Sequence, residues 1–201
     1  LHTQVVIKES KICYQHGRIL YSFLCDYIKS CNYKMINILE IGTARGFSAL
    51  CMAAALQKMK IKGEITTIDP LPHSHKMYWN CIEDMTGPKT RAYILKPWED
   101  LMEKYIAFIQ GDVRKILPKV QLPRINFAFL DGAHEFDDII FEFLTIEPFQ
   151  RKGDIIIYDD YDDRQFSGLV KAVDKVCEKY NYNKEIISAT ISRTYVVSIK
   201  N

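Results

Sequence analysis

Five short apolar runs, each closed by glycine or an acid, limit what this 201-residue chain can fold into. Met35–Ile41 is ended by Glu40 and Gly42, Glu64–Ile68 runs into Asp69 and Pro70, and Ile106–Ile109 stops before Gly111. Phe127–Leu130 stops at Asp131 and Gly132, and Ile155–Tyr158 stops at Asp159 and Asp160. Unbroken apolar runs of this length fit strands buried on both faces. Apolar residues at helical spacing lie between them. Ile19, Leu20, Phe23, Leu24, Tyr27 and Ile28 predict an opening helix over 17–29, within an N-terminal helical segment 11–32. Leu50, Cys51, Ala54 and Leu56 predict a second over 47–60, with Gly63 as its left-handed terminus. Phe136, Ile139, Ile140 and Phe143 make a later stripe, and Leu169, Val170, Val173, Val176 and Cys177 another. The tail runs Glu185–Ala189 and Thr194–Ile199 predict an antiparallel hairpin.

Strands alternating with amphipathic helices give an α/β fold, a three-layer α-β-α sandwich around a mostly parallel sheet. Such sheets bind ligands beyond the carboxyl ends of their strands. Glu40, Asp69, Asp112, Asp131, Asp159 and Asp160 gather at those ends. The stretch 70–105 is longer than a crossover needs and contains His73, His75, Trp79 and Trp98. It is read as an insertion with helices near 75–85 and 98–105. A lid or substrate wall, a structural insertion and an oligomer contact are all open to it.

The length suits one domain spanning 1–201. No apolar run approaches the roughly 20 residues that cross a bilayer, so no membrane partner is expected. The formal charge is only +2, and Lys58, Lys60 and Lys62 read as a solvated helix end, so no nucleic-acid partner is expected either. Cys13, Cys25, Cys31, Cys51, Cys81 and Cys177 contain no C-x-x-C pair. They read as thiols in a reducing, cytoplasmic setting, ahead of zinc or disulfides. Leu1 to Ser10 show no signal-peptide pattern.

The most informative stretch is Ile38-Leu39-Glu40-Ile41-Gly42-Thr43-Ala44-Arg45-Gly46-Phe47-Ser48. Gly42 allows a sharp turn after the strand. Gly46 lets the next helix begin close to a ligand, and Ser48 offers a hydroxyl in its first turn, where free N–H groups favour a carboxylate. The spacing departs from the G-x-G-x-x-G dinucleotide fingerprint, because Ala44 takes the middle position and one residue separates it from Gly46. No Gly-Lys-Ser/Thr follows, which excludes a P-loop. A cofactor with adenosine and no pyrophosphate fits, with Asp69 accepting both ribose hydroxyls. A turn role before Pro70 is the structural alternative for Asp69.

Glu40-Ile41-Gly42-Thr43-Ala44-Arg45-Gly46 resembles the first motif of class I S-adenosylmethionine-dependent methyltransferases, E/D-x-G-x-x-x-G. The resemblance covers about residues 36–199. It implies a Rossmann-like seven-stranded sheet of order 3-2-1-4-5-7-6 with an antiparallel last strand. It also implies S-adenosylmethionine as cofactor. Glu40, Gly42, Thr43, Ala44, Gly46 and Ser48 would lie at its methionine part, Asp69 at the ribose, Gly111 and Asp112 at the adenine, and Asp131 nearby.

Asp131, Asp159 and Asp160 follow strands expected to be neighbours. Carboxylates at close range repel unless protonated or neutralised. A hard divalent cation solves this, magnesium being the expectation for an all-oxygen set. Such an ion stabilises the oxyanion of an attacking hydroxyl, which makes Asp131 a candidate catalytic group as well as a ligand. His134, three residues after Asp131, has three open roles: general base, metal ligand or substrate contact, and helix cap. The base is the expectation. This arrangement is similar to the metal-dependent O-methyltransferases of the catechol, caffeoyl-coenzyme A and macrolide-sugar groups, and the segment around Asp131 and His134 looks closer to the macrocin-type branch. Asp160 stands where the catechol group has asparagine, and His134 where it has a lysine base. The expected partner is a small hydroxyl compound, with homo-oligomerisation open. A nicotinamide-dependent oxidoreductase and a non-catalytic protein of the same fold are the competing readings.

Overall fold

The structure, a computed structural model, describes residues 14–79, 82–190 and 193–201. The elements in chain order are α1 (Tyr14–Ser30), β1 (Met35–Ile41), α2 (Phe47–Met59) and β2 (Lys62–Asp69). Two short helices follow, α3 (Arg91–Leu95) and α4 (Glu99–Tyr105), and then β3 (Ile106–Gln110) and α5 (Val113–Ile116). The chain continues through β4 (Phe127–Leu130), α6 (Phe136–Ile146), β5 (Ile155–Tyr158), α7 (Ser167–Lys179), β6 (Tyr182–Thr190) and β7 (Arg193–Lys200). The sheet is seven-stranded in the order β3-β2-β1-β4-β5-β7-β6. β7 runs antiparallel to β5 and to β6, while the pairs among β1 to β5 are parallel.

Side chains alternate across the sheet with the two-residue period of a strand. Ile36, Ile38, Ile65, Phe127, Phe129, Ile155 and Ile157 pack under α1, α2 and Tyr105. Leu39, Ile41, Ile68, Ala128, Leu130, Ile156 and Tyr158 pack under α6 and α7 on the other face. β4 and β5 are buried at every position, as their unbroken apolar sequences require.

Two local expectations are corrected. The left-handed residue ending α2 is Lys60, at φ 53°, and Gly63 is already inside β2. A Cβ on Gly63 would lie 2.8 Å from Leu56 and 2.9 Å from the carbonyl oxygen of Ile36, so this glycine serves close packing of the strand. The α-helix expected near 75–85 does not form among the described residues there. Met77 and Lys89 exchange backbone hydrogen bonds there, and only a short 3-10 turn follows at Ile82–Thr86. The second helix expected in the insertion is α4. Cys25 and Cys177 are buried free thiols, and Cys31 and Cys51 are partly buried ones. Cys13 and Cys81 lie outside the described residues. Among the described residues no helix is long and apolar enough to cross a membrane.

Glu142 faces inward from α6 at 0 % exposure, and neither carboxyl oxygen has a hydrogen-bond partner among the described residues. Burial, with Asp138 adding to it, pushes its pKa from 4.5 to about 8, against a smaller opposing effect of Arg114. A raised carboxyl pKa stabilises the fold fully below the unfolded value, and that contribution is lost as pH rises through the folded value. Between pH 4.5 and 8, urea denaturation should therefore show a loss on the order of 4 kcal/mol from this group. Glu142→Gln should remove that slope. A variant that loses stability with pH as steeply as wild type would refute the assignment.

Candidate functional site

The turn after β1 is built by contacts that leave no room for side chains. Gly42 has φ 95°, and a Cβ there would fall 2.0 Å from the Asp131 carbonyl oxygen. Its N–H donates to Ile68 and that of Asp131 donates to Ile41, so the tips of β1, β2 and β4 are bound together. Ala44 is left-handed at φ 43°, and its N–H donates to the Asp69 carboxylate at 2.7 Å. Gly46, at φ 88°, precedes α2, and a Cβ there would meet Leu95 of α3 at 2.8 Å.

Glu40 is completely buried beneath this turn. It accepts from the Ser48 and Thr67 hydroxyls, and Thr43 pairs with Thr67. Burial pushes the Glu40 pKa up to about 7, although the two hydroxyl hydrogen bonds oppose the shift. The Ser48 proton is therefore directed inward, and Glu40 braces the turn from below. Asp69 is 5 % exposed. Besides Ala44 it accepts from the Leu71 N–H at 2.6 Å, and Arg91 lies 3.4 Å away. The carboxylate expected to meet ribose hydroxyls is thus already anchoring the turn. At the tip of β3, the Gly111 N–H donates to the Asp69 carbonyl, and the exposed Asp112 caps α5 by accepting from the Arg114 N–H at 2.9 Å.

Leu130 pairs with Tyr158 in register, so Asp131 and Asp159 emerge side by side. The three acids nevertheless do not form one cluster. Asp159 is buried and accepts from Arg193, with an Nε distance of 3.1 Å. It also lies 3.3 Å from Nδ1 of His16, which approaches the Tyr195 hydroxyl at 3.1 Å. Asp160, left-handed at φ 54°, turns the other way, 3.2 Å from His134 Nε2. Two constellations result, sharing Asp131: His16–Asp131–Asp159 and Asp131–His134–Asp160, each with its donor atoms within 4.8 Å of one another. Neither set found among the described residues holds all three of the expected Asp131, Asp159 and Asp160. The physical reason is that Arg193 already neutralises Asp159.

Burial holds the Asp131 pKa well above the usual carboxylate range, and the neighbouring Asp159 charge adds to it. Burial acts on Asp159 in the same direction, but the His16 and Arg193 hydrogen bonds outweigh it and leave that pKa lowered. His134 precedes the α6 cap at Glu135 and stacks on Phe166, with ring centroids 4.3 Å apart. Its Nε2 is shielded from solvent without a hydrogen-bond partner among the described residues. An imidazole nitrogen facing two carboxylates without a hydrogen bond to either fits a divalent cation, with Asp131, His134 and Asp160 as its holders.

Three participants escaped the sequence reading. His16 lies in the first turn of α1. It is 7 % exposed and set edge-on against Phe129, with ring centroids 5.1 Å apart. Arg193 and Arg91 carry no motif, and no local pattern marks them.

A family model described as a methyltransferase domain matches residues 39–161. Among solved structures, cofactor-bound Rv0187 from MTB superposes with a TM-score of 0.70 at 15% identity, covering 97% of this chain and 84% of that one. The O-methyltransferase from Bacillus cereus in complex with SAH gives 0.66 at 14% identity, covering 96% and 84%. CalS11, a TDP-rhamnose 3'-O-methyltransferase of calicheamicin biosynthesis, gives 0.65 at 19% identity, covering 92% and 80%. At these identities the likeness is one of fold. No curated protein sequence matches.

Proposed function

Because the chain belongs to the methyltransferase-domain family, we propose that it is an S-adenosylmethionine-dependent methyltransferase acting on a hydroxyl oxygen of a small molecule with the help of a divalent cation. One observation carries this reading. The Gly42 turn touches the Asp131 backbone, so a cofactor on that turn would lie beside the Asp131–His134–Asp160 donors. S-adenosylmethionine, when bound, supplies a methyl group on a positively charged sulfur. A divalent cation, when bound, supplies stabilisation of the oxyanion formed by a hydroxyl.

The chain's own residues do the positioning. The Gly42–Gly46 turn and the first turn of α2 take the methionine end, where free N–H groups suit a carboxylate. Asp131 and Asp160 would hold the cation, which would position the acceptor oxygen for transfer. His134 Nε2 would take the hydroxyl proton, or it would ligate the cation. The same nitrogen cannot do both at once. Its presence in place of Asp159 makes the donor set one nitrogen and two carboxylates, which suits manganese or another borderline ion as well as magnesium.

Calorimetry with S-adenosylhomocysteine tests the cofactor assignment, and neither heat nor thermal stabilisation would overturn it. His134→Gln distinguishes the two roles of the imidazole. As a base, its loss should cost about 10²–10⁴-fold in turnover at fixed pH and change the pH–rate profile, with manganese affinity kept. Weakened manganese binding with an unchanged profile would instead assign His134 to the cation.

A further inference from the structure

Arg91 belongs to neither the glycine motif nor the acid cluster, yet it is among the largest fully buried side chains, at 2 % exposure. It opens α3, in the insertion, and its guanidinium lies 5.3 Å from the Trp79 ring and 6.0 Å from that of Phe108. Its Nε donates to the Ala44 carbonyl at 2.7 Å, and its Nη2 lies 3.4 Å from Asp69 Oδ1. The Ala44 N–H meanwhile donates to the other Asp69 oxygen. Both polar groups of Ala44 are therefore held by two side chains that are themselves an ion pair. This closed ring surrounds a residue with a Cβ in the left-handed region, a conformation that needs external support. The second contact between insertion and turn is Leu95 against Gly46.

We propose that Arg91 is a positioning residue for the cofactor turn, through which the 70–105 insertion sets the conformation of Ala44 and the orientation of Asp69. The inference rests on the reading that this turn holds S-adenosylmethionine. The planar guanidinium fixes the direction of Nε toward the Ala44 carbonyl while Nη2 faces Asp69, and a flexible lysine ammonium supplies the charge without that fixed geometry. Nη2 has no hydrogen-bond partner among the described residues, which leaves one donor beside Asp69. The insertion and the turn then order as one unit, and occupation of the turn is felt at α3.

The test uses the full chain and S-adenosylhomocysteine as probe. Arg91→Lys, compared with wild type at a temperature where circular dichroism shows both folded, should bind about tenfold or more weakly. A guanidinium that only neutralises Asp69 would leave affinity within about twofold, because lysine keeps the charge. Hydrogen exchange on wild type is the second measurement, and it decides the matter if the variant does not fold. The probe should slow exchange over residues 88–95 as well as over 42–48. Equal binding by Arg91→Lys, or protection of the turn without protection at 88–95, would overturn the inference while leaving the cofactor assignment intact. A wild-type chain that does not bind the probe would overturn both.

Discussion

Asp131→Asn is expected to lower methyl transfer by on the order of 10²- to 10³-fold, since several kcal/mol of charge stabilisation depends on its oxygens. The fold should remain intact. Asparagine matches the shape of aspartate, and the carboxyl group it replaces is half-buried and faces Asp159 and Asp160. Removing such a charge relieves repulsion, so the urea midpoint of the variant should equal or exceed that of wild type. Turnover is read as S-adenosylhomocysteine released, and cation binding by manganese calorimetry. Wild-type turnover with unaltered manganese affinity would remove Asp131 from the site. A variant that fails both because it unfolds would show that the carboxylate is structural.

Gly42→Ala should be the most damaging single methyl group in the molecule. A Cβ would lie 2.0 Å from a backbone oxygen, and φ is 95°. No side-chain rotation relieves a contact with backbone, so the β1 and β4 tips must separate. A loss on the order of 3–5 kcal/mol in folding stability is expected, together with loss of S-adenosylhomocysteine binding. Contrast with Gly87→Ala isolates the cause. Gly87 also has positive φ, at 91°, but nothing lies within 4 Å of a Cβ there. Its substitution should cost only the left-handed strain, about 1–2 kcal/mol, without effect on the cofactor. Similar losses at the two positions would show that strain alone, and not the contact with Asp131, explains Gly42.

The legible parts of the fold are those with local causes. The runs at Phe127–Leu130 and Ile155–Tyr158 are strands with the bounds read from their apolar residues. β2, β6 and β7 each extend beyond the runs read for them, because ladder hydrogen bonds recruit polar neighbours such as Lys62, Tyr182 and Arg193. Gly63 was misread because glycine suits a helix terminus and a tight packing contact equally well. Only the approach of Leu56 and Ile36 separates the two. The helix expected near 75–85 gives way to the Met77–Lys89 bridge and to the Trp79 indole donating to the Lys89 carbonyl, contacts with residues 10 to 12 positions further along.

At the site, residue types were readable and partners were not. Glycine at 42 and 46, and acids at the tips of β1, β2, β4 and β5, follow from turn chemistry and strand period acting over a few residues. Which cation neutralises which acid follows from no such short-range rule. Arg193 reaches Asp159 from 34 residues away, Arg91 reaches Ala44 from 47, and His16 meets Tyr195 across 179. A carboxylate takes whichever donor the folded sheet brings within about 3 Å. The chain therefore announces its strand tips in its own order of residues. The division of Asp131, Asp159 and Asp160 between two clusters arises once distant segments pack together.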